Sequence, residues 1–385
     1  MDLLAGRDGS SVRRGDSPIG LLKARRDAAG EAEWSSGPFL PFAGFGGERF
    51  MRRGGDYSST MAMQPTVPVR PTADLPALLE GMAATGFQGR KLGESVRVWR
   101  AMLEDPDCTV LLGLSGAMIP AGMREVLIAL VRHHCVDAIV STGANLFHDA
   151  CEHLGVCHYQ GHHHVDDADL LSRGIDRIYD VFAYEEEFRT IDRQIAAFAA
   201  AIAPFRGSSR AFLDAFGRHV NGVAPAGRSL LAACIEESVP IFVPALADSS
   251  IGIGLVMARR EGVDIDVDQL ADADELTRIV EESPRTGVVY VGGGVPKNFI
   301  QQTQVIASIH DASLDGHAYA IQYTTDAPHW GGLSGCTFEE AISWGKEQVS
   351  SPRVQCFCDA TIALPIVASA LLAPGIVRQG RRFDL

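Results

Sequence analysis

Two hydrophobic periods alternate along this chain from about residue 72 onward. Leu75, Leu78, Leu79 and Met82 recur at three- and four-residue spacing, which predicts a short amphipathic helix, and Ser95–Glu104 predicts another. Thr109–Leu112 and Ala138–Val140 are apolar runs too brief for helices and rich in β-branched residues, so they read as buried strands. The first leads through Gly113–Pro120 into a predicted helix from about Gly122 to His134, and the second leads through residues 141–145 into another. Strand, loop and helix in repetition point to parallel strands, because parallel neighbours need a long crossover connection. Residues 168–230 read as mostly helical, with alanines and phenylalanines crowded at 195–204. Ile241–Val243, Val288–Val291, Ala318–Ile321 and Val354–Phe357 read as further central strands, each followed by glycine, a small polar residue or an acid. The pattern predicts a single α/β domain over residues 66–385, with a doubly wound, mostly parallel sheet and flanking helices.

Residues 1–65 break this pattern. They are rich in Gly, Ser and Arg and sustain no apolar period, so they offer little surface to offset the entropy of ordering. They predict a disordered N-terminal extension, or sequence ahead of a start at Met61 or Met63.

Composition narrows the class. A chain of 385 residues, 46% hydrophobic and 21% charged, is neither disordered, nor a coiled coil, nor collagen-like. The net charge of −14 argues against coating nucleic acid or an anionic membrane. No apolar run is long enough to span a bilayer and no apolar signal segment opens the chain, so a cytoplasmic protein is expected. The eight cysteines are scattered without C-x-x-C pairs, which favours reduced thiols. Cys356 and Cys358 alternate along a predicted buried strand, where packing is the expected role.

Several loops carry candidate chemistry. Val288–Val291 enters Gly292-Gly293-Gly294, then Pro296, then an apolar helical stretch. Such a turn lets backbone approach a phosphate, and Pro suits a helix start, but the spacing is not G-x-G-x-x-G. A tight strand–helix turn explains it equally well. Thr142-Gly143, Asp248, Thr325 and Asp359-Ala360 all follow predicted strands, where a parallel sheet gathers ligands. Taken singly, each Asp is better explained as a helix cap; several such loops converging on one edge favour a nucleotide site. His162-His163-His164 reads as a solvated loop rather than a closed metal shell, and no metal is expected. Glu340 and Trp344 are four residues apart, and Gly345 lets the chain turn Lys346 toward the same place. A lysine kept out of water beside an indole loses its charge more readily and becomes a Schiff-base nucleophile, but on spacing alone an exposed helix with an ordinary surface Lys is the favoured reading.

The segments VGGGVPKN (291–298), PALADSS (244–250), EAISWGK (340–346) and CDATIALP (358–365), with the long stretch 109–149, occur in one order across about 95–375. Together they resemble the deoxyhypusine synthase family, in its bacterial deoxyhypusine synthase-like or homospermidine synthase-like branch. The resemblance implies a Rossmann-like NAD-binding fold, a homotetramer with shared sites, and an aminobutyl transferase. In that chemistry NAD takes a hydride from spermidine, a lysine carries the butylamine part as a Schiff base, and an acceptor amine receives it. The acceptor is a protein lysine in deoxyhypusine synthase and putrescine in homospermidine synthase. By resemblance Lys346 is the covalent lysine, Glu340 and Trp344 bind amine, and Asn298 stands where the family has a histidine. Thr142, Gly143, Asp248, Gly293, Thr325, Asp359 and Ala360 fall on NAD contacts. Phe147, His148, Ile253 and Leu333 replace family acids, which argues against an unchanged spermidine pocket, because a polycation needs carboxylates along its length. Homospermidine-type or other small-amine chemistry is therefore favoured over protein modification. A non-catalytic NAD- or polyamine-binding protein on the same scaffold is the alternative.

Overall fold

The computed structural model describes residues 64–385 except Ala226, Gly227, Ala312 and Val377. The expected extension falls almost wholly outside these residues. The sheet is built on β1 (Cys108–Leu114), with β2 (Ala138–Ser141), β3 (Ile241–Phe242), β4 (Arg285–Val291), β5 (Tyr319–Thr324) and β6 (Arg353–Phe357). All six are parallel, in the order β6-β5-β4-β1-β2-β3. This is the Rossmann-like doubly wound order, and it reverses between β1 and β4.

Every residue of β1 and all but the first of β4 are buried, as central strands covered on both faces must be. The pleat divides their side chains. Val110, Leu112, Val289 and Val291 pack on one face with Trp99 and Met102. Leu111, Val288 and Tyr290 pack on the other with Leu276, Ile300 and Phe338. A one-residue slip between β1 and β4 would exchange these sets, so the cores on both sides fix the register in which Leu111 lies opposite Val288.

The helices that position the site are α1 (Phe87–Glu104), α2 (Gly143–His153), α3 (Ser250–Arg260), α4 (Gln269–Glu282), α5 (Gly294–His310), α6 (Phe338–Ile342) and α7 (Ala360–Leu372). The predicted helix from Gly122 instead starts at Arg124, after a wide turn at Ile119–Met123. Residues 168–230 are mostly helical as expected, in Asp167–Ser172, Glu185–Ala201 and Ser209–Val223, but short strands that the sequence did not announce interrupt them. Tyr159–Gln160, Ile175–Ile178 and Val181–Tyr184 form a small antiparallel sheet, and Phe205–Gly207 pairs with Ile265–Val267. Strands this short are too brief for a two-residue period to declare itself. The hairpin turn at Tyr179-Asp180 also lacks glycine, although Tyr179 has φ +57°.

A C-terminal strap completes the amino-terminal edge of the sheet. The Arg378 guanidinium holds both oxygens of the fully buried Asp137 carboxylate at 2.9 Å and the carbonyls of Cys108 and His134 at 2.6 and 2.8 Å. The same carboxylate accepts the Val110 N–H at 2.8 Å, so one buried anion ties the strap to β1.

Candidate active site

Lys346 is placed by a short helix and a turn. The Thr337 hydroxyl caps α6 by accepting the Glu340 N–H at 3.1 Å. The helix ends at Ile342, so Glu340 and Trp344 do not share a regular helical face. Gly345, at φ +69°, reverses the chain in a conformation that favours glycine. Lys346 N–H then bonds Ala341 C=O at 3.1 Å, and Lys346 C=O accepts the His317 N–H at 3.0 Å just before β5. With its backbone fixed at both ends, Lys346 extends Nζ to Asn298 Oδ1, 3.0 Å away on α5.

The amine lies in a cleft of about 430 Å³ whose walls include Asn298, Gln301, Leu333, Cys336, Glu340 and Trp344. The Lys346 Nζ is 5.7 Å from the Trp344 ring centre. Trp344 is 66% exposed, so it forms an open wall of the cleft rather than the enclosing one its spacing suggested. Glu340 is the one carboxylate among the described lining residues, and the partner of Lys346 Nζ is Asn298 rather than Glu340. Sequence reasoning placed Glu340, Trp344 and Lys346 on one segment and Asn298 and Leu333 on others, and the fold brings all five to one cleft.

Behind the cleft is a buried polar layer that sequence reasoning missed. Lys297 is fully buried, and its Nζ donates to Gln322 Oε1 at 2.9 Å and Cys336 C=O at 2.6 Å. Burial pulls its ammonium down to about 8. Glu347, 1% exposed, accepts from Gln301 Nε2 at 3.2 Å, and its other oxygen has no partner. Burial raises its carboxyl to about 8. Lys297, Gln301 and Gln304 recur at i, i+4 and i+7, a polar stripe on the buried side of α5 that is visible in the sequence. Glu347 follows the candidate nucleophile with no such signal.

The residues expected to hold a nucleotide share one edge of the sheet. Thr142-Gly143 follows β2, Asp248 follows β3, Gly293 follows β4, Thr325 follows β5 and Asp359-Ala360 follows β6. Because all the strands are parallel, these are all carboxyl ends. Some of the residues have packing duties as well. Thr142 Oγ1 donates to Gly116 C=O at 2.8 Å, and a Cβ at Gly143 would fall 2.4 Å from Ser249 Oγ. A Cβ at Gly293 would fall 2.5 Å from Ser334 Cα, so this glycine admits the loop that carries Leu333. Asp359 caps α7 through the Thr361 N–H at 2.7 Å. Asp248, Thr325 and Asp359 are nevertheless exposed. At the β1–β4 reversal a Cβ at Gly294 would meet nothing within 4 Å, while the Gly294 N–H donates to Ser334 Oγ at 3.0 Å. Exposed carboxylates at the carboxyl ends of a doubly wound sheet fit a dinucleotide.

The replaced acids differ in their fates. Phe147 and His148 are buried against Phe188, with His148 Nδ1 3.0 Å from His158 Nε2. Burial pulls His148 down to about 4, so the position is neutral at neutral pH. Ile253 is half exposed on α3. His162, His163 and His164 form an exposed, partly stacked loop.

A family model for deoxyhypusine synthase matches residues 77–371. The chain is 58% identical over 308 residues to "Probable deoxyhypusine synthase 2" of Methanosarcina acetivorans, covering 80% of this chain and 89% of that one. It is 39% identical to the "Deoxyhypusine synthase-like protein" of Chlorobaculum parvum, covering 76% and 84%. It is 37% identical to "Probable deoxyhypusine synthase 1" of Archaeoglobus fulgidus, covering 77% and 93%. In fold it is similar to a crystal structure from Entamoeba histolytica assigned to deoxyhypusine synthase, with TM-score 0.54 at 18% identity, covering 80% and 94%.

Proposed function

Because the chain belongs to the deoxyhypusine synthase family, we propose that it is an NAD-dependent aminobutyl transferase in which Lys346 carries the transferred group as an imine. The observation that carries this reading is the Lys346 amine, half-buried in an open cleft and held by Asn298. An amide oxygen accepts an N–H from either protonation state of the lysine. Asn298 therefore aims Nζ without pinning its charge, as a carboxylate would. Glu340, free of Lys346, is available to the ammonium of an amine substrate. Lys297 is buried beyond reach and serves the floor of the cleft. NAD, when bound, supplies the hydride acceptor and donor; Thr142, Gly143, Asp248, Gly293, Thr325, Asp359 and Ala360 are the residues proposed to hold it.

A small acceptor amine of the homospermidine type is favoured over a protein lysine. That preference rests on Phe147, His148, Ile253 and Leu333 standing where the family has acids; Glu340, the one carboxylate among the described lining residues, can pair one ammonium of a bound amine. Archaeoglobus fulgidus carries relatives named 1 and 2, and this chain is 37% identical to the first and 53% to the second. Two such proteins in one organism fit divided acceptors. We further propose a homotetramer. Trp330, Leu333 and Trp344 are exposed on or beside the cleft wall, where a second subunit would cover them.

The test is to incubate the protein with NAD and spermidine, reduce with borohydride, and map the adduct by mass spectrometry. An aminobutyl adduct on Lys346, absent from Lys346→Arg, is expected. An adduct on Lys297, or full product formation by the Arg variant, would refute the assignment. Adding putrescine or a protein acceptor to unreduced reactions distinguishes the two products, and nucleotide binding without turnover would support the non-catalytic alternative.

A further inference from the structure

β6 ends in a turn that its sequence does not announce. In a regular strand Cys356 and Cys358 would lie on one face with their Cα atoms roughly 6.5–7 Å apart. Here the Cys358 N–H donates to Cys356 C=O at 3.1 Å. A bond from one residue to the second before it closes a γ-turn around Phe357. The turn folds the two thiols together, Sγ to Sγ at 3.3 Å. Bonds on both sides hold it: the Phe357 N–H donates to Gln88 Oε1 at 2.7 Å, and Asp359 accepts the Thr361 hydroxyl at 2.6 Å. Among the described residues this is the one pair of cysteine sulfurs in contact. The thiols are not equivalent. Cys356 is buried and Cys358 is half-buried. Their hydrogen bond holds the Cys358 thiol below its ordinary value and, together with burial, pushes Cys356 up. A more acidic, reachable thiol beside a buried one is the arrangement of an attacking and a resolving cysteine.

We propose that Cys356 and Cys358 are a reversible dithiol–disulfide pair, oxidised by a low-molecular-weight disulfide such as glutathione disulfide. The Cys358 thiolate attacks one sulfur of the oxidant. The oxidant's S–S bond breaks, and its first thiol leaves with the proton from Cys358. Cys356 gives up its proton and attacks the Cys358 sulfur of the mixed disulfide, releasing the second thiol. Two protein thiols lose two electrons and two protons, and the oxidant becomes two thiols. The product locks the turn directly before Asp359, the cap of α7 on the candidate nucleotide edge. This last link rests on the proposed function; the disulfide itself does not.

The full-length protein is equilibrated in glutathione buffers of stepped ratio, quenched with an alkylating agent and digested with trypsin. Residues 354–378 form one tryptic peptide with no other cysteine. Its doubly alkylated form should give way to an unalkylated form lighter by two hydrogens, and dithiothreitol should reverse the change. Cys356→Ser should instead leave glutathione attached to Cys358. Double alkylation at every ratio that modifies the exposed Cys157 would overturn the proposal, as would a glutathione adduct that persists on wild-type Cys358. NAD affinity of the two forms tests the link to Asp359. A several-fold weaker affinity when oxidised is expected, and equal affinity would sever that link.

Discussion

The amide oxygen of Asn298 decides where the Lys346 amine points, and changing one atom there should change its chemistry. In Asn298→Asp a carboxylate replaces that oxygen at the same 3.0 Å reach. An ion pair favours the charged lysine, so imine formation should shift to higher pH by on the order of one unit. The pH profile of borohydride trapping measures this, and an unshifted profile would separate Asn298 from the nucleophile. Behind it, Glu347 and Lys297 make a second prediction, on stability. Glu347 lies above its ordinary 4.5, at about 8, so the folded state holds an extra proton and stability falls with rising pH across that window. Lys297 lies below its ordinary 10.5, at about 8, so the folded state lacks a proton above that point and stability recovers toward 10.5. Glu347→Gln keeps the shape of the neutral acid and should abolish the falling limb. Calorimetric melting from about pH 5 to about pH 8 should show the wild type losing stability relative to the variant; parallel curves would contradict a buried neutral Glu347.

At the scale of elements, several strand ends on the candidate nucleotide edge combine packing with a proposed binding role, and the two are separable at α7. Asp359→Asn keeps a side-chain oxygen for the Thr361 N–H and should leave the melting temperature nearly unchanged. Asp359→Ala should cost about 1 kcal/mol as a lost cap. If Asp359 holds the nucleotide, both variants should weaken NAD binding in titration calorimetry, and loss in the Ala variant alone would make the residue a cap and nothing more. The inner strands were legible in sequence because burial on both faces makes them continuous apolar runs, as in Val288–Val291; β6 and β3 lie at the edges of the sheet rather than its centre, and β6 alternates buried and half-buried residues. The hairpin through Ile178 and Val181 was not legible, because its strands are mostly half-buried, with Asp176 and Arg177 between Ile175 and Ile178, and its turn uses Tyr179. Lys346 was legible through the EAISWGK segment. Its contact with Asn298 was not, since the two residues lie 48 positions apart and meet only in the folded chain. The γ-turn at Phe357 was likewise hidden, because alternation alone describes Cys356 and Cys358 as ordinary strand neighbours.

At the scale of the whole molecule, the strap decides whether the amino-terminal edge of the sheet can close. Asp137 is fully buried, and Arg378 supplies its countercharge. Removing one partner of such a pair leaves an unpaired buried charge and costs roughly 3–5 kcal/mol, so Arg378→Ala should lower the melting temperature sharply. Asp137→Asn with Arg378→Ala should recover part of the loss in the same scan; a double variant as unstable as the single one would mean that the strap acts through packing rather than charge. The pairing also sets an order in time. Asp137 leaves the ribosome 241 residues before the cation that neutralises it. Throughout that interval β1 waits beside an unanswered anion, and even when β6 completes the strand order at Phe357 the edge still lacks its cation. Nascent chains arrested before Arg378 should remain protease-sensitive at β1, and chains extended past Arg381 should become resistant. Equal digestion of the two would show that the edge closes without its strap.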